Sequence, residues 1–200
     1  MPPRDLVTGT MSPQRRTANA FAAGGKHGLT VWQAHAPMAA RPEARACPAA
    51  SARAHGNVAA VAAEGALLDP AAALPNPHLP PGDYACRVIK LGTPAGSTLA
   101  YVAYPRFRCR VAAEQDIFSF TKITGSQRQV GLIFDDNDRR KIFLGTLMLG
   151  DETRALDYGA DAERNLAGLV ERIGPNRWRI VFPRPAFESM IDVMELVPEA

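Results

Sequence analysis

This 200-residue chain predicts an all-β fold, an antiparallel meander closing into a small β-barrel of about eight strands. Three observations carry that prediction. From residue 84 onward, short apolar runs follow one another with turn residues between them. No helical segment of 10–15 residues separates those runs, which argues against alternating β and α units. Cys86 and Cys109 sit in matching contexts, Tyr-Ala-Cys-Arg-Val and Phe-Arg-Cys-Arg-Val, as a disulfide between two strands of one small domain would have it.

Three regions are expected. Residues 1–57 hold six prolines, no isoleucine and no tyrosine, and no apolar period persists in them. Phe21, Trp32 and Met38 are isolated, so this segment reads as a disordered or mis-translated leader, unable to bury enough apolar surface to offset its ordering entropy. Residues 58–82 read as a short helix and a proline-rich strap. Val61, Leu67 and Leu68 are the larger apolar residues of the helix, Pro70 stops it, and five prolines fall between residues 70 and 82. Residues 83–198 are the expected β-barrel domain.

The strands are predicted in order. Tyr84–Leu91 ends at Gly92-Thr93-Pro94. Leu99–Tyr104 and Arg106–Val111 follow, as two strands or as one long strand kinked at Pro105. Ile117–Ile123 ends near Gly125. Gln129–Phe134 and Arg140–Leu149 flank the polar turn Asp135-Asp136-Asn137-Asp138, a hairpin signal. A short strand is expected at Ala155–Tyr158. Leu166–Ile173 and Arg177–Phe182 flank Gly174-Pro175-Asn176, and Met190–Val197 comes last. Phe107, Cys109 and Val111 alternate with Arg106, Arg108 and Arg110, and Trp178, Ile180 and Phe182 alternate with Arg177 and Arg179. One face of each strand is thus expected to be buried and the other solvated. Phe107, Leu132, Phe134, Leu144, Trp178 and Phe182 are expected to fill the barrel.

Composition narrows the function. Residues 1–57 carry seven Lys/Arg against two Asp/Glu, a net of +5, whereas residues 58–200 carry sixteen against eighteen, a net of −2. The basic character belongs to the leader, so a nucleic-acid partner is not expected of the body. His27, His35, His55 and His78 all precede residue 79, which leaves the later chain without a Ser–His or Cys–His pair. The acidic turn at Asp135–Asp138 lacks the glycine and the twelfth-position glutamate of an EF-hand loop. No metal and no cofactor are expected. No run approaches the roughly 20 apolar residues of a membrane-spanning helix. Cys47 is left over in the leader. Ser126 and Arg128, in the loop Thr124-Gly125-Ser126-Gln127-Arg128, are the candidate rim contacts for a partner.

Gly82-Asp-Tyr-Ala-Cys-Arg-Val-Ile-Lys-Leu-Gly92, Tyr104-Pro-Arg-Phe-Arg-Cys-Arg-Val111, Phe143-Leu-Gly-Thr146, Val170-Glu-Arg-Ile-Gly174 and Pro183-Arg-Pro-Ala-Phe-Glu-Ser189 resemble a bacterial family known only as domain of unknown function 4893. Thr124–Arg128 and Ala63–Pro70 resemble it too, and the resemblance spans about residues 58–198. It carries over no functional residue. It implies an exported protein, periplasmic or secreted, in agreement with the cysteine pairing, although Met1-Pro-Pro-Arg-Asp5 has no apolar stretch behind it. The barrel is lipocalin- or inhibitor-like by analogy of fold alone. The expected role is non-enzymatic binding of a partner protein or a small apolar ligand. The alternatives are a carboxylate-dependent hydrolase, which requires two acids of shifted pKa in one cleft, and a structural envelope or assembly protein. Ligand, partner and oligomeric state are not fixed by the sequence.

Overall fold

The computed structural model describes residues 49–92, 100–114 and 117–199. Eight strands run in chain order: β1 (Gly82–Leu91), β2 (Tyr101–Glu114), β3 (Ile117–Lys122), β4 (Gln127–Asp135), β5 (Lys141–Leu149), β6 (Asn165–Gly174), β7 (Arg177–Pro183) and β8 (Ile191–Pro198). Each pairs antiparallel with the next, and β8 pairs back onto β1 with Leu196 opposite Cys86. The result is a closed eight-stranded meander barrel, and closure leaves no unpaired edge. Ahead of it lie helix α1 (Val58–Ala63) and a 3₁₀ turn (Gly65–Leu67).

The two strongest hairpin signals form hairpins, β4–β5 around residues 136–140 and β6–β7 around Pro175-Asn176. Pro105 lies inside β2 without ending it. Arg106 pairs with Arg87 and Ala103 with Ile89, so Tyr104 and Pro105 together oppose Val88 in a bulge. A bulge accommodates a proline because it needs no ladder N–H there. The strand expected at Ala155–Tyr158 is absent; the stretch is part of a loop. Thr146 Oγ1 donates to the Leu156 carbonyl, Gly159 turns the chain at φ +90°, and β5 takes β6 as its ladder partner instead.

The barrel interior is packed along most of its length. Phe143 stacks edge-on against Phe120 (5.9 Å) and Phe182 (5.4 Å). Its ring lies across the facing pair Gly131 and Gly145, where a Cβ would come within 2.7 Å of Phe143 Cζ and collide with the opposite backbone. One end of the barrel is plugged by the strap. Leu79 is buried there, Tyr84 donates to the Pro80 carbonyl (2.6 Å), and the Trp178 indole donates to the His78 carbonyl (2.9 Å). The Cys86–Cys109 disulfide crosses from β1 to β2 inside the barrel, with Cα atoms 5.9 Å apart.

The outer wall departs from the expected pattern. It is not solvated throughout, because α1, the 3₁₀ turn and the strap cover part of it. Leu144 and Phe134, expected inside, belong to the outer apolar cluster with Leu67, Leu68 and Ile89, and Leu132 shares their face. Arg179, expected in solvent, is fully buried beneath the 3₁₀ turn. It donates to the carbonyls of Ala66, Leu67 and Asp69 and pairs with Glu171 at 2.8 Å. Glu64 completes the clasp by accepting from the two terminal guanidinium nitrogens of Arg87 and from the Tyr101 hydroxyl. Arg106, Arg108 and Arg110 are exposed as expected, and Arg110 pairs with Asp83 across β1–β2.

Packing also reaches upstream of residue 58. Residues 49–54 are helical, and Ala49 and Ala52 are buried against the outer cluster. The expectations for residues 1–48, Cys47 among them, and for Thr93-Pro94 lie outside the described residues.

Candidate functional site at the barrel mouth

Strand parity builds the site. Along β1 the inward positions read Tyr84, Cys86, Val88, Lys90; along β3 they read Phe118, Phe120, Lys122. On β4, Gln127 and Gln129 precede Ile133, and on β8 Asp192 precedes Met194 and Leu196. Each of these strands is apolar towards the strap and turns polar at the opposite end. There the packed core stops, and a cavity of about 390 Å³ opens to solvent. Val88, Tyr104, Pro105 and Phe107 form its apolar wall, so the β2 bulge sits on the cavity. Lys90, Lys122, Gln127, Gln129, Glu188 and Asp192 supply the polar groups, and Gly125 and Ser126 the rim. The disulfide lies next below on β1, where Cys86 faces Phe107.

The two lysines differ. Lys90 Nζ is held on several sides, by Glu188 (3.1 Å), Asp192 (3.4 Å) and the Gln127 side-chain oxygen (3.2 Å). Burial pushes the Asp192 carboxyl above its ordinary range, while the Lys90 ammonium and the Ser189 hydroxyl, which donates to it at 2.5 Å, pull it back. Lys122 Nζ donates to the Gln127 carbonyl (2.7 Å) and stands 3.7 Å over the Phe107 ring, a cation–π contact. Among the described residues no carboxylate pairs with it. Burial first, and then the like charge of Lys90, bring its ammonium down to about 8, against the opposing pull of Asp192.

Gln129 is the second incomplete group. It is 5% exposed, and its side-chain oxygen Oε1 has no hydrogen-bond partner among the described residues. Leaving a buried acceptor unsatisfied costs about 1–3 kcal/mol, so this atom is poised for a donor from outside. Gly125 closes the β3–β4 turn at φ +92°, and a Cβ there would come within 2.9 Å of Phe107 and 3.1 Å of Lys122 Nζ.

Of the two rim residues proposed from sequence, Ser126 lines this cavity. Arg128 lies between Gln127 and Gln129 on the opposite face of β4 and donates to the carbonyls of Gly150 and Glu152. Two acids, Glu188 and Asp192, do meet in one cleft, but Lys90 bridges them, and Ser189 is outside the cavity lining. The sequence reading missed Lys90, Lys122, Gln129 and Asp192. The available signal was polar residues at inward parity, the last ones of β1 and β3 and the first ones of β4 and β8, on otherwise apolar strand faces. No group of three or more His, Cys, Asp or Glu residues suited to a metal occurs among the described residues.

Fold and site together define a small disulfide-bonded, eight-stranded antiparallel barrel with one plugged end and one polar-lined mouth. The family model described as "Domain of unknown function (DUF4893)" matches residues 32–196, most of the chain, and the chain belongs to that family. The match begins upstream of residue 58, where the resemblance by motif began. No curated protein and no solved structure matches. Among the described residues no helix is long and apolar enough to cross a membrane.

Proposed function

We propose that this protein is an exported, non-enzymatic binding protein that takes up a small ligand in the mouth of its barrel, as a lipocalin-like fold allows. The cavity carries this reading. Its volume of about 390 Å³ falls within the roughly 300–1,000 Å³ typical of small-molecule sites. Taking a charged group out of water costs several kcal/mol, so a barrel built only for packing gains nothing from two lysines and an aspartate at inward positions. The apolar wall of Val88, Tyr104 and Phe107 suits hydrocarbon, and the polar groups suit one hydrophilic end. The disulfide supports a periplasmic or extracellular setting.

N-phenyl-1-naphthylamine, a neutral fluorescent probe, tests the reading. Its emission is expected to rise on addition of the wild-type protein and to stay flat with Val88→Trp, which fills the cavity. Near-ultraviolet circular dichroism checks that the variant retains its fold. Equal response from a folded Val88→Trp protein, or no response from wild type, contradicts binding at the mouth.

A further inference from the structure

We propose that the mouth cavity is a site for a small organic carboxylate with a hydroxyl close to it and an apolar tail. The proposal rests on the binding role given above and supplies the chemistry of the ligand.

Lys122 sets the anion. An ammonium has three donors, and among the described residues one is spent, on the Gln127 carbonyl. Lys90 is already neutralised by Glu188 and Asp192, so an anion entering the cavity finds its unsatisfied partner at Lys122. The lowered basicity of that buried amine is what an ammonium awaiting a counter-charge displays.

Gln129 sets the second group. Its unpartnered Oε1 accepts only, so a carboxylate cannot satisfy it and an O–H or N–H must. The spacing then limits how far from the anion that donor sits. Thr121 pairs with Val130, which places Lys122 and Gln129 directly opposite one another on the inner face of the next register step. Directly opposed residues have Cβ atoms about 4.5–5.5 Å apart, so the two groups are near enough for one small molecule to meet both. The donor is neutral because Lys122, which pairs with no carboxylate among the described residues, stands opposite with its positive charge, and this disfavours an ammonium beside it. A 2-hydroxy carboxylate meets all of these conditions, and its tail lies against Val88, Tyr104 and Phe107.

Isothermal titration of the full-length protein at pH 7 with three matched probes tests this: 3-phenyllactate, its methyl ester, and 3-phenylpropionate, which lacks the hydroxyl. Phenyllactate is expected to bind about tenfold or more tighter than its ester, the range of one charge-assisted hydrogen bond. It is expected to bind about fivefold tighter than phenylpropionate, as for one neutral hydrogen bond. Lys122→Met removes the acid–ester difference, and Gln129→Leu removes the hydroxyl preference. The wild-type comparison needs no variant, so a misfolded substitution leaves the test intact. Equal binding of acid and ester, or binding of neither alongside a positive naphthylamine response, overturns the carboxylate proposal and leaves the binding role standing. Failure of the acids and of naphthylamine together overturns both.

Discussion

Cutting the Cys86–Cys109 bridge is the perturbation whose size follows most directly from the fold. The two cysteines are 23 positions apart, and the loop-closure relation for a ring of that length gives about 3.4 kcal/mol of unfolded-state entropy at 25 °C. Both residues are completely buried in the inner cluster, so replacing them adds a packing loss to the chain term. Reduction with a phosphine isolates the chain term. Urea unfolding monitored by tryptophan fluorescence, with and without reductant, is the assay. The expected loss is about 3 kcal/mol, which for a domain of this size lowers Tm by about 10 °C. The m-value is expected to rise on reduction, because the uncrosslinked chain expands further when unfolded. The bridge is inaccessible in the folded state, so reduction should proceed at the rate of unfolding and accelerate in urea. An unchanged urea midpoint after complete reduction, verified by mass, would refute the reasoning that the bridge pins β1 to β2 by restricting the unfolded chain.

Further outcomes follow from other parts of the molecule. Arg179→Met should cost about 3–5 kcal/mol, because it leaves Glu171 buried without its counter-charge and three carbonyls without a donor. The double variant with Glu171→Met should recover a substantial part, and urea midpoints of the two compare directly. Gly125→Ala should cost about 1–2 kcal/mol from the left-handed backbone alone and should weaken naphthylamine binding by pressing on Phe107 and Lys122. Lys122 titrates near 8 in the fold against 10.5 for a free lysine. The unfolded chain therefore binds more protons between those values, and stability rises with pH across that window. Discounted for partial hydration of the ammonium, the gain is about 1–2 kcal/mol. Lys90, Asp192 and Arg128 surround the group electrostatically, and Lys122→Met should abolish the increment. Above pH 10 the trend should reverse, since burial raises Tyr84, Tyr101 and Tyr158 to about 12 and only the unfolded chain then loses those protons. Urea midpoints at pH 7.5, 9.5 and 11 check both signs.

The strand order was legible because turn chemistry is local. Asp135–Asp138 and Gly174-Pro175-Asn176 mark hairpins through their own backbone preferences, whatever packs around them. The disulfide was legible for a related reason, two cysteines at equivalent places in adjacent strands. Inside and outside were harder. Alternation separates two faces only when one of them meets water, and here the strap and α1 cover much of the outer wall. Leu144 is therefore buried in the outer cluster as Phe143 and Phe182 are in the inner one, and Phe134 is partly buried against that outer cluster. Arg179 read as solvated because its burial depends on backbone carbonyls brought from more than a hundred residues away. The site escaped for the converse reason. Lys90 and Lys122 are charged residues at inward parity, and a rule that sends charge outward discards them, although their positions follow Cys86–Val88 and Phe118–Phe120 without a break.

The central claim is that the polar end of this barrel is a binding site and the remainder a filled wall. Solution NMR titration with 3-phenyllactate, following the Gln129 side-chain amide, the Lys122 ammonium and methyl groups throughout, addresses it in one experiment. Shift changes confined to Lys122, Gln129, Val88 and their cavity neighbours, with Leu67, Leu144 and Val193 on the outer wall unmoved, are predicted. Changes centred on the outer wall, or none at saturating concentration, would contradict the account.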